Sequence, residues 1–77
     1  MEQRTIQPGR YRHFKGKEYQ VLGLARHSET QELLVVYRAL YGEGGLWVRP
    51  YEMFASSVEK EKYPDAAQEW RFERIGD

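Results

Sequence analysis

Two arginines, Arg38 and Arg49, stand among most of the large rings in the middle of the chain. Tyr37 and Tyr41 flank the first, and Trp47 and Tyr51 the second, within "YRALYGEGGLWVRPY" at 37–51. Arginine beside tryptophan and tyrosine is the residue mix enriched at interface hot spots, where a planar cation stacks on rings and pairs with anions. A hairpin turn centred near Glu43-Gly44 sets Tyr41 near Leu46, Ala39 near Val48 and Arg38 opposite Arg49; a slip of one residue changes that pairing. Like charges directly across a ladder repel unless a carboxylate or an anionic ligand lies between them. Two arrangements satisfy this requirement. In one, Glu18, Glu32 or Glu52 bridges the arginines and the cluster stabilises the sheet. In the other, the arginines and their aromatic neighbours form a cationic platform for an anionic or aromatic partner.

The histidines come next. His13 and His27 each end a strand pattern, and with Glu29, Glu32 or Glu52 they could surround a metal. No H-x-H or H-x-x-x-H spacing supports this, so neither a metal nor a cofactor is expected. Their expected role is structural or ligand-contacting, as half-buried imidazoles at the rim of the fold. "HSE" at 27–29 holds the letters of a hydrolase triad, yet neighbours at a strand end face opposite ways and cannot act as base and orienter. The glycines of "GEGG" at 42–45 lack the following Lys-Ser/Thr and helix of a phosphate loop, and a hairpin turn accounts for them. No residue is assigned a catalytic role; a small enzyme with His13 or His27 as general base is the weakest of three functional readings.

Elements that must position these residues are short strands. Alternation and β-branched or aromatic content predict strands over "GRYRHF", 18–27, 33–41, 46–50 and 70–75, with another opening at Val58. Gly23 in mid-strand suggests a bulge or sharp bend. Pro50 stops a strand, and 51–57 suits one helical turn that directs Tyr51 and Phe54 the same way. Residues 1–7 have no period and read as a loose arm, while Pro64-Asp65 suggests a helical turn through Ala66 and Ala67. Five or six short strands with one helical turn predict a single all-β domain over 1–77, a strongly bent antiparallel barrel.

Composition agrees. A chain of 77 residues without cysteine has one small core and no disulfide, and its 14% aromatic content must fill that core. No apolar run approaches the roughly 18 residues of a membrane span, and no signal-peptide pattern opens the chain, so a cytoplasmic protein away from membranes is expected. Net charge is zero. Residues 1–27 carry six basic and two acidic side chains, a balance of +4, and residues 28–77 carry six and ten, a balance of −4.

The spaced segments "GRYRHFKGKEYQVLG", "ARHSET", "VVYRALY" and "LWVRPYEMF" within 9–54, with "RFERI" at 71–75, closely resemble the bacterial domain-of-unknown-function family numbered 1653. The resemblance implies an SH3-like β-barrel and no known activity. Its usual short hairpin before the last strand is replaced here by the longer "EKEKYPDAAQEW". The leading functional expectation is a non-catalytic module that binds a protein or peptide through the Arg/aromatic surface, by analogy with small barrels of this kind. The alternative is RNA or single-stranded nucleic acid, because basic residues of "GRYRHFKGK" alternate with aromatics.

Overall fold

The computed structural model describes residues 5–76. It contains β1 (Gly9–His13), β2 (Glu18–Arg26), β3 (Leu33–Ala39), β4 (Leu46–Pro50), the single-turn helix α1 (Tyr51–Phe54) and β5 (Phe72–Gly76). The strands make one antiparallel sheet in the order β4-β3-β2-β1-β5. β4 and β5 are its two edges and do not pair with each other, so the sheet bends around its core without closing by hydrogen bonds. A single all-β sheet with one helical turn before the last strand fits the bent antiparallel barrel that the strand pattern predicts and the SH3-like barrel that the resemblance implies. Among the described residues no helix is long and apolar enough to cross a membrane.

Alternation works as the residue types require. Tyr11 is buried while Arg10 and Arg12 on either side are exposed, and Val35, Tyr37 and Ala39 turn inward along β3. The bend comes in β2, where the register with β3 shifts between Val21 and Gly23 and leaves Leu22 as the extra residue. Gly23 takes φ 158°, a conformation that side-chain-bearing residues rarely adopt, at the bulge its position predicts. Gly42 and Gly44 have φ of 59° and 69° in the turn between β3 and β4, closed by the Ala39 amide donating to the Gly45 carbonyl at 3.0 Å.

The core is Ile6, Tyr11, Val21, Val35, Tyr37, Phe54 and Phe72. Phe54, carried in by α1, lies flat on Phe72 with centroids 4.1 Å apart and planes 7° from parallel. Tyr11 and Tyr37 pack on Phe54 at 5.5 Å each. Such ring pairs contribute about 0.5–1.5 kcal/mol beyond the area they bury, a large share for so small a core.

Two expectations change. Of the loose arm, residues 1–4 lie outside the described residues, but Ile6 is a core residue whose amide donates to the Tyr51 hydroxyl at 3.0 Å. An apolar side chain that reaches the core is stabilised by burial even where no periodicity marks it. The strand expected from Val58 reduces to one bridge, Ser57 with Trp70. Residues 59–69 form successive turns, with the Lys60 ammonium donating to the Ala66 and Gln68 carbonyls at 2.8 and 3.0 Å. That side chain does the holding a second strand would have done.

An aromatic mouth around Arg49

The register between β3 and β4 decides which residues meet. Tyr37 pairs with Trp47, Val35 with Arg49, and Arg38 with Leu46. Trp47 and Arg49 therefore share the inner face with Tyr37, whereas Arg38 points to the outer face beside Leu46 and Gln20. Arg38 and Arg49 do not oppose each other; the register is displaced by three residues from the expected one, and that odd displacement puts them on opposite faces of the sheet. Nor, among the described residues, does a carboxylate bridge them: neither arginine has an ion pair, and Glu18 pairs instead with Arg10 and Arg12 at 3.8 and 3.6 Å.

What the inner face assembles is a concavity of about 220 Å³ lined by Tyr19, Tyr37, Tyr41, Trp47 and Arg49. Tyr19 enters because it pairs with Ala39 next to Tyr37, and its ring packs edge-on to Tyr37 at 5.3 Å and to Tyr41 at 5.6 Å. The hydroxyls of Tyr19 and Tyr41 share a hydrogen bond at 3.0 Å. Burial, then that bond, pushes the Tyr19 phenol up to about 12, so this hydroxyl stays a neutral donor and acceptor. Arg49 donates from Nε to the Tyr37 hydroxyl at 3.3 Å and lies over the Phe72 ring at 5.3 Å. The Lys17 ammonium sits 4.2 Å from the Tyr41 ring centre at the margin. Trp47 is 58% exposed, as are its edge-strand neighbours Leu46 and Val48 at 58% and 57%.

Arg49 is thus anchored by a phenol and a ring rather than by an acid. Among the described residues no carboxylate comes within ion-pairing distance of it. A guanidinium fixed by its Nε keeps its other N–H donors for something else. The site can stack a flat or apolar group on Trp47 and Tyr41 while pairing an anionic one with Arg49.

His13 adjoins this mouth on the inner side, edge-on to Phe72 at 4.8 Å. Burial, with Arg49, Arg71 and Lys15 adding to it, lowers its pKa to about 4. Its Nδ1 accepts the Lys15 amide at 3.1 Å, so the neutral ring carries its proton on Nε2. His27 is elsewhere, past the far end of β2, where Nδ1 accepts the Glu29 and Thr30 amides at 3.1 and 3.3 Å. The two histidines do not meet. Tyr51 also departs from the expected platform: it is half-buried, binds the Ile6 amide, and lines a different hollow with Pro50 and Glu32.

Of the expected platform, then, Arg49, Trp47, Tyr37 and Tyr41 come together and His13 lies alongside; Arg38, Tyr51 and His27 do not. Tyr19 joins them unforeseen. Its only signal is shared alternation with Val21, which places it inward without saying which strand it faces. The basic-aromatic alternation of β1 is divided between faces, with Tyr11 inside, bonded to Gln7, and Arg10 and Arg12 outside.

The model of a family described as "Protein of unknown function (DUF1653)" matches residues 9–74. Among solved structures, one described as the crystal structure of a protein of that family from Bordetella bronchiseptica is 38% identical to this chain. The two superpose with a TM-score of 0.78 over 92% of this chain and 88% of that one. Among curated proteins none matches.

Proposed function

From the premise that this chain belongs to the DUF1653 family of proteins of unknown function, we propose that it is a non-catalytic binding module. Its partner is an extended peptide segment carrying a carboxylate beside an aromatic or aliphatic side chain. The observation that carries this reading is Arg49, held in a ring-lined mouth without an acidic partner among the described residues. A carboxylate supplies the missing acceptors in bidentate geometry, and Trp47 with Tyr41 supplies the apolar wall beside it. β4 is moreover an edge strand, so its outer backbone is open to an added strand. Nucleic acid draws less support, because the alternating arginines of β1 are engaged by Glu18 on the face away from the rings.

Selection from a random peptide library tests the proposal. Enriched peptides are expected to pair Asp, Glu or a free C-terminus with an apolar residue, and to bind Trp47→Ala and Arg49→Gln at least about tenfold more weakly. No enrichment, or equal binding to both folded variants, would remove the reading.

A further inference from the structure

A second hollow, of about 170 Å³, lies beside the β1–β2 turn and is bounded by His13, Lys15, Glu59, Lys62, Tyr63 and Arg71. None of these except His13 belongs to the aromatic mouth or its margin. Its donors far outnumber its acceptors. Three cationic side chains stand against one carboxylate, and among the described residues none of the three has an ion-pair partner. Among the described residues the buried Arg71 Nε meets no hydrogen-bond acceptor. Buried polar groups in folded proteins are almost always satisfied, and an orphaned guanidinium N–H points to an acceptor that the described residues do not provide.

The walls hold these donors in place. Arg71 is pinned by its backbone on both sides, its amide donating to the Ser56 carbonyl and its carbonyl accepting the Phe14 amide, each at 2.9 Å. Lys15 reaches over the Tyr63 ring at 5.3 Å and the Phe14 ring at 5.9 Å, and Lys62 lies 5.7 Å from the Tyr63 centre. Phe14 and Tyr63 pack edge-to-face at 4.9 Å beneath them. His13, with Nδ1 taken by the Lys15 amide, has Nε2–H as its remaining donor. Ammoniums held over rings rather than paired with acids stay available to a ligand.

We infer that this hollow is a binding site for a phosphate group, distinct from the peptide mouth. A carboxylate has two oxygens and one charge. A phosphate dianion offers three or four acceptor oxygens in a compact tetrahedron, enough to receive Arg71, Lys15, Lys62 and the His13 Nε2–H together. Glu59, the one acid at the rim, leaves the hollow with a net charge of +2 from its three cations, which matches that dianion. The aromatic floor of Phe14 and Tyr63 gives an attached ring or apolar group a place to lie.

Amide chemical-shift titration of the full chain tests this, using inorganic phosphate and phenyl phosphate separately, with sodium chloride holding ionic strength constant. Saturable shifts are expected at Lys15, Glu59 and Arg71. Affinity should fall at least tenfold in Arg71→Gln and severalfold in Lys15→Gln, which alters only an exposed side chain, while Arg38→Gln, on the outer face of the sheet, leaves it nearly unchanged. Tighter binding of phenyl phosphate assigns the site to a phosphoryl group on a carrier; equal binding assigns it to the free anion. Shifts that sodium chloride alone reproduces, or affinity unchanged in both the Arg71 and Lys15 variants, would overturn the proposal. Since the peptide library reads Trp47 and Arg49, failure there leaves this result standing, and the reverse.

Discussion

His13 and His27 begin alike and end differently. His13 ends β1 and His27 follows β2, each leads into a short connection, and each turns Nδ1 back to accept a backbone amide two residues on, at 3.1 Å in both cases. Around His27 that is nearly all: the ring stands exposed, and Gln31, at φ 64°, closes the turn by donating to the His27 carbonyl. Around His13 the sheet folds inward. Phe14 lies at 4.6 Å, Phe72 at 4.8 Å, and the cations Arg49, Arg71 and Lys15 act on it together. The same local motif is a turn cap at one corner and a neutral, positively surrounded donor at the other. Local sequence sets the cap, and the packing of β5 against β1 sets the electrostatics.

Removing the ring that separates the two environments has the largest effect. Phe72→Ala deletes the partner of Phe54, Tyr19 and His13 together, and is expected to lose about 3–5 kcal/mol, read from the urea midpoint. That is comparable with the whole stability of a domain this size. A loss under about 1 kcal/mol would mean that the His13 corner is not sheltered by β5.

Acid gives the next largest effect. His13 has a folded pKa of about 4, below its unfolded value of 6.5, so the unfolded chain takes up the proton first. Its contribution favours the folded state fully above about pH 6.5, declines as pH falls towards 4, and changes no further below that. Thermal melts at pH 7, 5.5 and 4 should show this decline, and His13→Gln should flatten it in that window. Arg49→Gln, which removes one of the neighbouring cations, should raise the His13 midpoint in a histidine-resolved titration. Acid sensitivity unchanged in His13→Gln would break the contrast between the corners.

His27 gives the smallest effect. His27→Ala removes an acceptor in an exposed turn where water replaces it, so the expected cost is about 1 kcal/mol or less. His27→Asn, whose side chain can accept the same amides, should recover most of it. Chemical denaturation of the pair against wild type checks both.

How far the sequence discloses this molecule varies with the range of the interactions involved. The strands, the Gly23 bulge and the inward Phe54 are legible because alternation, a lone glycine and a proline stop are local signals. The family segments are legible for the same reason, each lying within a single element or turn. The mouth is only partly legible. Its composition is plain in Trp47, Arg49, Tyr37 and Tyr41, but the register that excludes Arg38 depends on a six-residue turn whose closure sequence spacing does not determine. Tyr19 and Arg71 are harder still. They reach their sites through β2–β3 pairing and through residues 56–71 folding back on themselves, contacts that no local pattern announces. Ile6 is hidden for a simpler reason, being one apolar residue in a polar stretch.

β1 pairs with β5, near the two ends of the described chain, while every other ladder joins strands that follow one another directly. In kinetic terms this topology sets an order of events. Closing the long loop between β1 and β5 costs roughly 2 kcal/mol more chain entropy than closing a five-residue hairpin. The β1-to-β4 meander is therefore expected to assemble ahead of β5. Substitutions along β5 should speed unfolding more than they slow folding, a division that stopped-flow measurement resolves. Phe72, and with it the surroundings of His13 and Arg49, would be completed only in the final step. The chain could hold most of its sheet and still lack both binding sites until its last strand docks.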